Sequence, residues 1–323
     1  MQDWLHTRTA ATPNRTALIF GDKSWTYAEL NVLTGRLTTK LLELGIQPQR
    51  NVHIGMLAPN TPEAIVMIHA LVRLGCTLVP LNTRLTPDEM NWQLRRADVR
   101  LLLYTVETAE IAHHLEPNRF LVDFSTLPDE ETTPSEIELD AVQAVVFTSG
   151  TTGQPKGAEI TYGNHFASAM ASAYRLGHHP TDHWLSILPL YHVGGLAVVF
   201  RSTLYGITIV LHQGFDIDAI QHSFDKHPIS LISLVPTMLY RLLDANTKWP
   251  PSLRLILLGG AAANASLMAR VEKVGLPVAT TYGLTEATSQ VATALPETAR
   301  AKPTSVGKPL MFTTVNLKAV NLQ

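Results

Sequence analysis

Residues 144–157, Ala144-Val145-Val146-Phe147-Thr148-Ser149-Gly150-Thr151-Thr152-Gly153-Gln154-Pro155-Lys156-Gly157, pass from a short apolar run straight into hydroxyls, glycines and a lysine. The ten positions from Thr148 hold four hydroxyls, three glycines and one lysine. Glycines let the backbone turn its N–H groups toward an anion, hydroxyls add short donors, and a lysine supplies a point charge that can follow a phosphate. A strand leading into a phosphate grip is the expectation. It is not the P-loop of P-loop NTPases, because Gly150 is followed by Gly153 and then Lys156-Gly157, with no Gly-Lys-Ser/Thr. The plain alternative, a solvated loop, leaves the lone lysine after Pro155 without a reason.

Working outward, the chain alternates between helical and extended patterns. Thr26-Tyr27-Ala28-Glu29 has the form of a capping box and precedes Leu30, Leu33, Leu37 and Leu41 at helical spacing, closed by Gly45. Val52 to Ala58 reads as a strand, Thr61-Pro62 opens a helix to Gly75, and Thr77 to Leu81 reads as a strand. Thr86-Pro87-Asp88-Glu89 caps a third helix before a strand at Val99 to Tyr104. After a Pro-, Glu- and Thr-rich surface connection at 126–140, the pattern resumes. Helices are expected at Tyr162 to Gly177, Asp216 to His227 and Thr237 to Asp244, and strands at Trp184 to Leu188, Ile229 to Leu234 and Leu253 to Leu258. Such alternation predicts parallel strands with crossover helices, an α/β fold.

Composition bounds the function. At 323 residues the chain suits about two domain-sized lobes. With 46% hydrophobic and 16% charged residues it has ample material for a core, and a net charge of −2 offers no electrostatic case for nucleic acid or an anionic membrane surface. Cys76 is the one cysteine, so no intrachain disulfide can form and a reducing cytoplasm fits. The amino terminus lacks a basic start and an apolar core, so no signal peptide is expected. The apolar stretch Leu185 to Leu211 is long enough to suggest a membrane span. Pro189, His192, Gly194-Gly195 and Arg201 interrupt it, and a buried helix of a globular core is expected there instead.

Three further segments carry candidate chemistry. Gly259-Gly260-Ala261-Ala262 follows a strand, where small side chains let a flat ring approach the backbone, although a Gly-Gly turn is as often structural. Tyr282-Gly283-Leu284-Thr285-Glu286 offers an aromatic ring, a hydroxyl and a carboxylate, which is a hard ligand of the kind Mg²⁺ prefers. The same residues suit a helix start with Thr285 as N-cap. Pro189 to Gly195 contains His192, and Arg201 follows on the same apolar segment. A buried arginine needs an anionic partner, either an internal Asp or Glu or the carboxylate of a ligand.

The decapeptide at 148–157, the Tyr282 segment and the His192 segment together resemble the adenylate-forming superfamily, which activates carboxylates by joining them to AMP. The resemblance implies two stacked αβ lobes with mostly parallel sheets, approximately 46–186 and 1–45 with 187–303, and the start of a small β-subdomain at 304–323. It implies nucleotide contacts from Thr148, Ser149, Gly150, Thr151, Thr152, Gly153 and Lys156, then from Gly259, Gly260, Ala261, Thr281, Tyr282, Gly283 and Thr285. Thr285, His192 and Lys156 take catalytic roles, and Glu286 holds Mg²⁺. Stretches such as Leu81-Asn82-Thr83-Arg84-Leu85, Thr161 to His165 and Ser289-Gln290 resemble the o-succinylbenzoyl-CoA synthetase branch, which serves menaquinone biosynthesis. That branch implies o-succinylbenzoate, ATP and CoA as small-molecule substrates, with His192, Arg201, Gly283 and Ser289 around the acid. A homodimer is compatible with it. The rivals are a ligase for another aromatic or fatty acid and a non-catalytic nucleotide-binding protein. Superfamily members continue for over a hundred residues past the equivalent of Gln323, into a lid domain with a catalytic lysine. The expectation is therefore a truncated polypeptide that binds better than it catalyses.

Overall fold

The computed structural model describes residues 1–48, 52–132, 136–148 and 155–316. The chain opens with α1 (Trp4–Ala11), β1 (Thr16–Phe20), β2 (Lys23–Thr26) and α2 (Tyr27–Glu43). There follow β3 (His53–Leu57), α3 (Pro62–Leu74), β4 (Thr77–Pro80), α4 (Pro87–Arg96), β5 (Val99–Tyr104), α5 (Ala109–Ala112), β6 (Asn118–Leu121), β7 (Val142–Thr148) and β8 (Lys156–Thr161). The remainder is α6 (Tyr162–Leu176), β9 (His183–Ser186), α7 (Val193–Tyr205), β10 (Thr208–Leu211), α8 (Ile217–Lys226), β11 (Leu231–Leu234), α9 (Pro236–Asp244), β12 (Leu255–Leu258), α10 (Ala265–Val274), β13 (Val278–Leu284), β14 (Ser289–Ala294), α11 (Pro296–Ala301) and β15 (Lys308–Pro309).

The local signals explain the helix ends. Thr26 and Glu29 satisfy each other's backbone N–H groups at the start of α2, and Thr86 and Glu89 do the same for α4. Pro62 occupies the first turn of α3, where its missing N–H costs nothing, and Gly75 closes that helix in the left-handed region at φ 67°.

These elements build two sheets. One has six strands in the order β6-β5-β3-β4-β7-β8, the other nine in the order β15-β14-β13-β12-β11-β9-β10-β1-β2. Among the described residues, antiparallel pairing of named strands is confined to β1–β2, β7–β8, β13–β14 and β14–β15, at the sheet margins. One core joins the two sheets: Ile54, Leu78 and Val146 of the first share it with Leu18, Ile209 and Leu211 of the second, through Phe200 of α7. Trp4 of α1 packs edge-on against Phe200 at 5.5 Å and against Tyr162 at 6.0 Å.

Several expectations need correction. The apolar stretch 185–211 is one helix only in its middle, since its ends lie in β9 and β10. All three elements are buried on every side, so no period separates helix from strand. No helix among the described residues is long and apolar enough to cross a membrane. Thr285 is not an N-cap. Strand β13 runs through Leu284, and Thr285–Ala287 form a single 3-10 turn without a side-chain cap. The 126–140 connection is partly tied down, since the amino-terminal ammonium donates to the Ile137 carbonyl at 2.8 Å and Ile137 is buried. The start of a small β-subdomain expected at 304–323 is not among the corrections: β15 there pairs antiparallel with β14, and 317–323 lie outside the described residues.

Candidate active site

The carboxyl ends of β4, β7, β11, β12 and β13 converge from both sheets on one cavity of about 930 Å³. Open α/β sheets place ligand sites at strand carboxyl ends because the loops there are free of packing duty.

Most of the expected residues meet here. Thr148, His192, Arg201, Gly259, Gly260, Thr281, Gly283, Thr285 and Ser289 all line the cavity. Lys156, Ala261, Tyr282 and Glu286 are exposed neighbours of lining residues and are not themselves part of its wall. Ser149, Gly150, Thr151, Thr152 and Gly153 lie outside the described residues. On either side of them, Thr148 and Lys156 are register partners of the β7–β8 pair.

Two glycines are explained by close approach. A Cβ on Gly195 would stand 2.2 Å from the Pro189 carbonyl oxygen, so only glycine lets α7 begin this near to the segment before it. A Cβ on Gly283 would stand 1.8 Å from the Ser289 carbonyl oxygen, where the β13–β14 register shifts. The turn between those strands holds Thr288 at φ 56° and Ser289 at φ 95°, two consecutive non-glycine residues in positive φ. Such backbone is costly and collects at functional sites.

The electrostatics turn on Arg201. It is 2% exposed, yet no Asp or Glu pairs with it among the described residues. Its Nη2 donates to Ser168 Oγ at 3.2 Å, its Nε has no hydrogen-bond partner, and burial pushes its pKa below the ordinary guanidinium range. A lone buried cation is expensive unless an anion joins it, and this one lines the cavity. His192 sits at the start of α7 with its ring open to the cleft. Partial burial by the cleft walls, and then the nearby Arg84 charge, lower its pKa, which favours the neutral imidazole at neutral pH.

Sequence reading missed the residues that set this geometry. Asn60, buried after β3, donates to the Leu188 carbonyl at 3.0 Å and accepts from Leu190 N–H at 3.0 Å, so the first sheet pins the segment leading to His192. Arg84 lines the cavity from the loop after β4. Its one signal was membership of a stretch already noted as resembling the synthetase branch. Asn60 and Ser168 carry no sequence signal at all.

The AMP-binding enzyme family model matches residues 5–322 of the chain. The chain belongs to the AMP-binding enzyme family. It is 38% identical over 313 residues to a 2-succinylbenzoate–CoA ligase of Bacillus pumilus, covering 95% of this chain and 63% of that protein. A Bacillus subtilis ligase of the same name is 38% identical over 322 residues and 65% covered. The structure of o-succinylbenzoate CoA synthetase from Bacillus subtilis in complex with its acyl-adenylate intermediate superposes with a TM-score of 0.91 at 37% identity, over 96% of this chain and 64% of that one. The N-terminal domain of FACL13 from Mycobacterium tuberculosis gives 0.88 at 25% identity, over 97% of this chain and 83% of that one. The chain thus spans about two thirds of the length of the curated relatives. Its two mostly parallel sheets and their helices are the adenylate-forming amino-terminal fold of this family.

Proposed function

We propose that this AMP-binding family chain is the nucleotide- and acid-binding part of an AMP-forming acid–thiol ligase that activates o-succinylbenzoate with ATP and passes it to CoA, in menaquinone biosynthesis. Arg201 carries the reading. An aromatic acid with two carboxylates can present one to the nucleotide and the other to this guanidinium, which suits planar carboxylate recognition. A fatty-acid ligase has no use for a buried cation facing its pocket. The relatives' names point the same way.

The cavity suits the substrates. Its volume of about 930 Å³ is that of a sizeable ligand site, and glycines 259 and 260 leave the end of β12 bare for a flat ring. Among the described residues no group of three or more His, Cys, Asp or Glu could hold a metal unaided. The exposed Glu286 carboxylate, next to the cavity-lining Thr285, fits as a hard ligand for Mg²⁺ carried in by phosphates, whose charge the ion would neutralise. In this reading Tyr282 stacks on adenine, the Thr285 hydroxyl donates to the α-phosphate as charge develops, and Lys156 follows the phosphates. The protein contributes chiefly position and charge stabilisation. Neutral His192 borders the acid with Gly283 and Ser289. The domain reading of an amino-terminal unit at 1–303 belongs to the same proposal, as does a cytoplasmic setting, and sedimentation decides whether a homodimer forms.

The test is calorimetry of o-succinylbenzoate and of its monocarboxylate analogue, on the parent and on Arg201→Leu. The dicarboxylate should bind the parent more tightly, and the variant should lose that preference. Equal binding of both acids by the parent would refute the substrate assignment. ATP binding with Mg²⁺, weakened in Lys156→Ala, checks the nucleotide half separately.

A further inference from the structure

Arg201 is connected to more than the cavity. Its Nη2 donates to Ser168 Oγ at 3.2 Å, and that hydroxyl spends its single proton on the Thr288 carbonyl at 2.8 Å. Ser168 therefore has a fixed orientation, accepting from the guanidinium on α7 and donating to the turn before β14. Thr288 is the left-handed residue that ends the Thr285–Ala287 turn, and its N–H closes that turn on the Thr285 carbonyl at 2.9 Å. With Ser289 also in positive φ, the turn cannot hold its shape by its own backbone preferences and depends on outside contacts. Apart from its own ring closure, the Ser168 hydroxyl supplies one of them. The three-part chain Arg201, Ser168, Thr288 thus runs from the acid end of the cavity to the turn that carries Thr285 and Glu286.

We infer that Ser168 is a positioning residue that couples the two halves of the site: a carboxylate held by Arg201 steadies the 285–289 turn, so the acid and the nucleotide bind with positive cooperativity. The inference rests on the proposed function for the identity of the two ligands. Without an anion, the Arg201 head group is fastened by the 3.2 Å bond from Nη2 to Ser168 while its Nε is unpartnered, which leaves it some freedom. A bound carboxylate removes that freedom, fixes the hydrogen bond to Ser168, and through it the Thr288 carbonyl. Coupling of this kind is reciprocal, so the nucleotide must tighten the acid by the same factor that the acid tightens the nucleotide. The acid's second carboxylate then acts as a signal as well as a handle. A monocarboxylate reaches the same pocket without engaging Arg201 and leaves the turn unsteadied.

The experiment is calorimetry with the α,β-methylene analogue of ATP and Mg²⁺, which cannot transfer its α-phosphate, in the presence and absence of saturating o-succinylbenzoate. The parent should bind the nucleotide analogue about fivefold or more tightly with the acid present, the lower end of ordinary coupling. The monocarboxylate analogue should give a ratio near one. In Ser168→Ala, which keeps a good helix former on α6, the ratio with the dicarboxylate should also fall to near one. Ser168→Thr, which restores the hydroxyl, should recover it. A folded Ser168→Ala protein that keeps the parent's ratio overturns the inference, as does a parent that binds both ligands independently. Failure of the parent to bind the nucleotide analogue at all would overturn the proposed function and this inference with it.

Discussion

The protein buries two arginines almost equally and treats them in opposite ways. Arg73 of α3 is 3% exposed and Arg201 of α7 is 2% exposed. Arg73 donates from Nε to Asp3 at 2.9 Å and from Nη2 to the Asn31 side chain at 2.6 Å, inside the core that joins α1, α2 and α3. Asp3 at the same time caps α1 through Leu5 N–H. Arg201 has a serine hydroxyl and a cavity. Each has a buried histidine for company. His69, near both Asp3 and Arg73, is pushed down to about 4 by burial, with the carboxylate opposing. His165, near Arg201, is pushed down to about 3 by burial, with the guanidinium assisting. Where the chain supplies its own anion, the arginine is structural. Arg201 has none among the described residues, and the proposed function gives that place to a ligand carboxylate.

The strongest way to break this contrast is to remove the internal anion. Asp3→Ala takes a carboxylate away from the buried Arg73 and uncaps a helix, so it should cost about 3–5 kcal/mol of stability in urea unfolding, and leave the preference among acids unchanged. An unaltered midpoint would show that Arg73 finds another partner and that the distinction is false. The converse variant, Arg201→Leu, should cost about 2–5 kcal/mol in dicarboxylate binding. Its stability should be equal to the parent's or higher, because an apolar side chain replaces a desolvated charge. A large loss of stability would make Arg201 a structural residue.

Acid titration sharpens the contrast further. Both histidines have folded pKa values below the ordinary 6.5, so below that pH the unfolded chain takes up protons that the folded one refuses. Stability should fall as pH drops from 6.5, by about 1.4 kcal/mol per pH unit for each histidine, the His69 contribution ending near pH 4 and the His165 contribution near pH 3. Thermal unfolding of His69→Gln and His165→Gln should each show a flatter slope over its own window. The smallest effect is local: in Arg201→Leu the His165 resonance should titrate at higher pH than in the parent, since a cation that opposes its protonation has gone. No movement would place the two groups too far apart to interact.

What could be read beforehand follows from how local each cause is. Capping boxes at Thr26 and Thr86, proline at 62 and glycine at 75 act through neighbours in sequence, and they marked helix ends correctly. Within the 185–211 stretch the strand β9 was read and β10 was not, because the elements there are buried nearly throughout and show no amphipathic period. The Thr285 cap failed because β13 continues through the motif, held by cross-strand pairing that a single segment does not reveal. In the site, Thr148, Gly259 and Gly260 were legible as residues at or just beyond strand ends, and the structure brings them to the cavity. Asn60 and Ser168 were not, since each matters through a partner distant in sequence: Asn60 pairs with Leu188 and Ser168 with Thr288.

The order of strands in the larger sheet bears on how the protein is made. β1 and β2 form its far edge, and β1 pairs with β10, so that Thr208 donates to the Thr16 carbonyl across 192 residues of chain. At ribosomal speeds of about 5–20 residues per second, the first strands wait roughly ten seconds or longer for the partner that covers them. All six strands of the smaller sheet emerge during that wait, so it can close first. Trp4, Leu5 and Leu18, which end buried, stay without their full packing in the meantime. The segment 16–26 is thus made well before the strand that covers it.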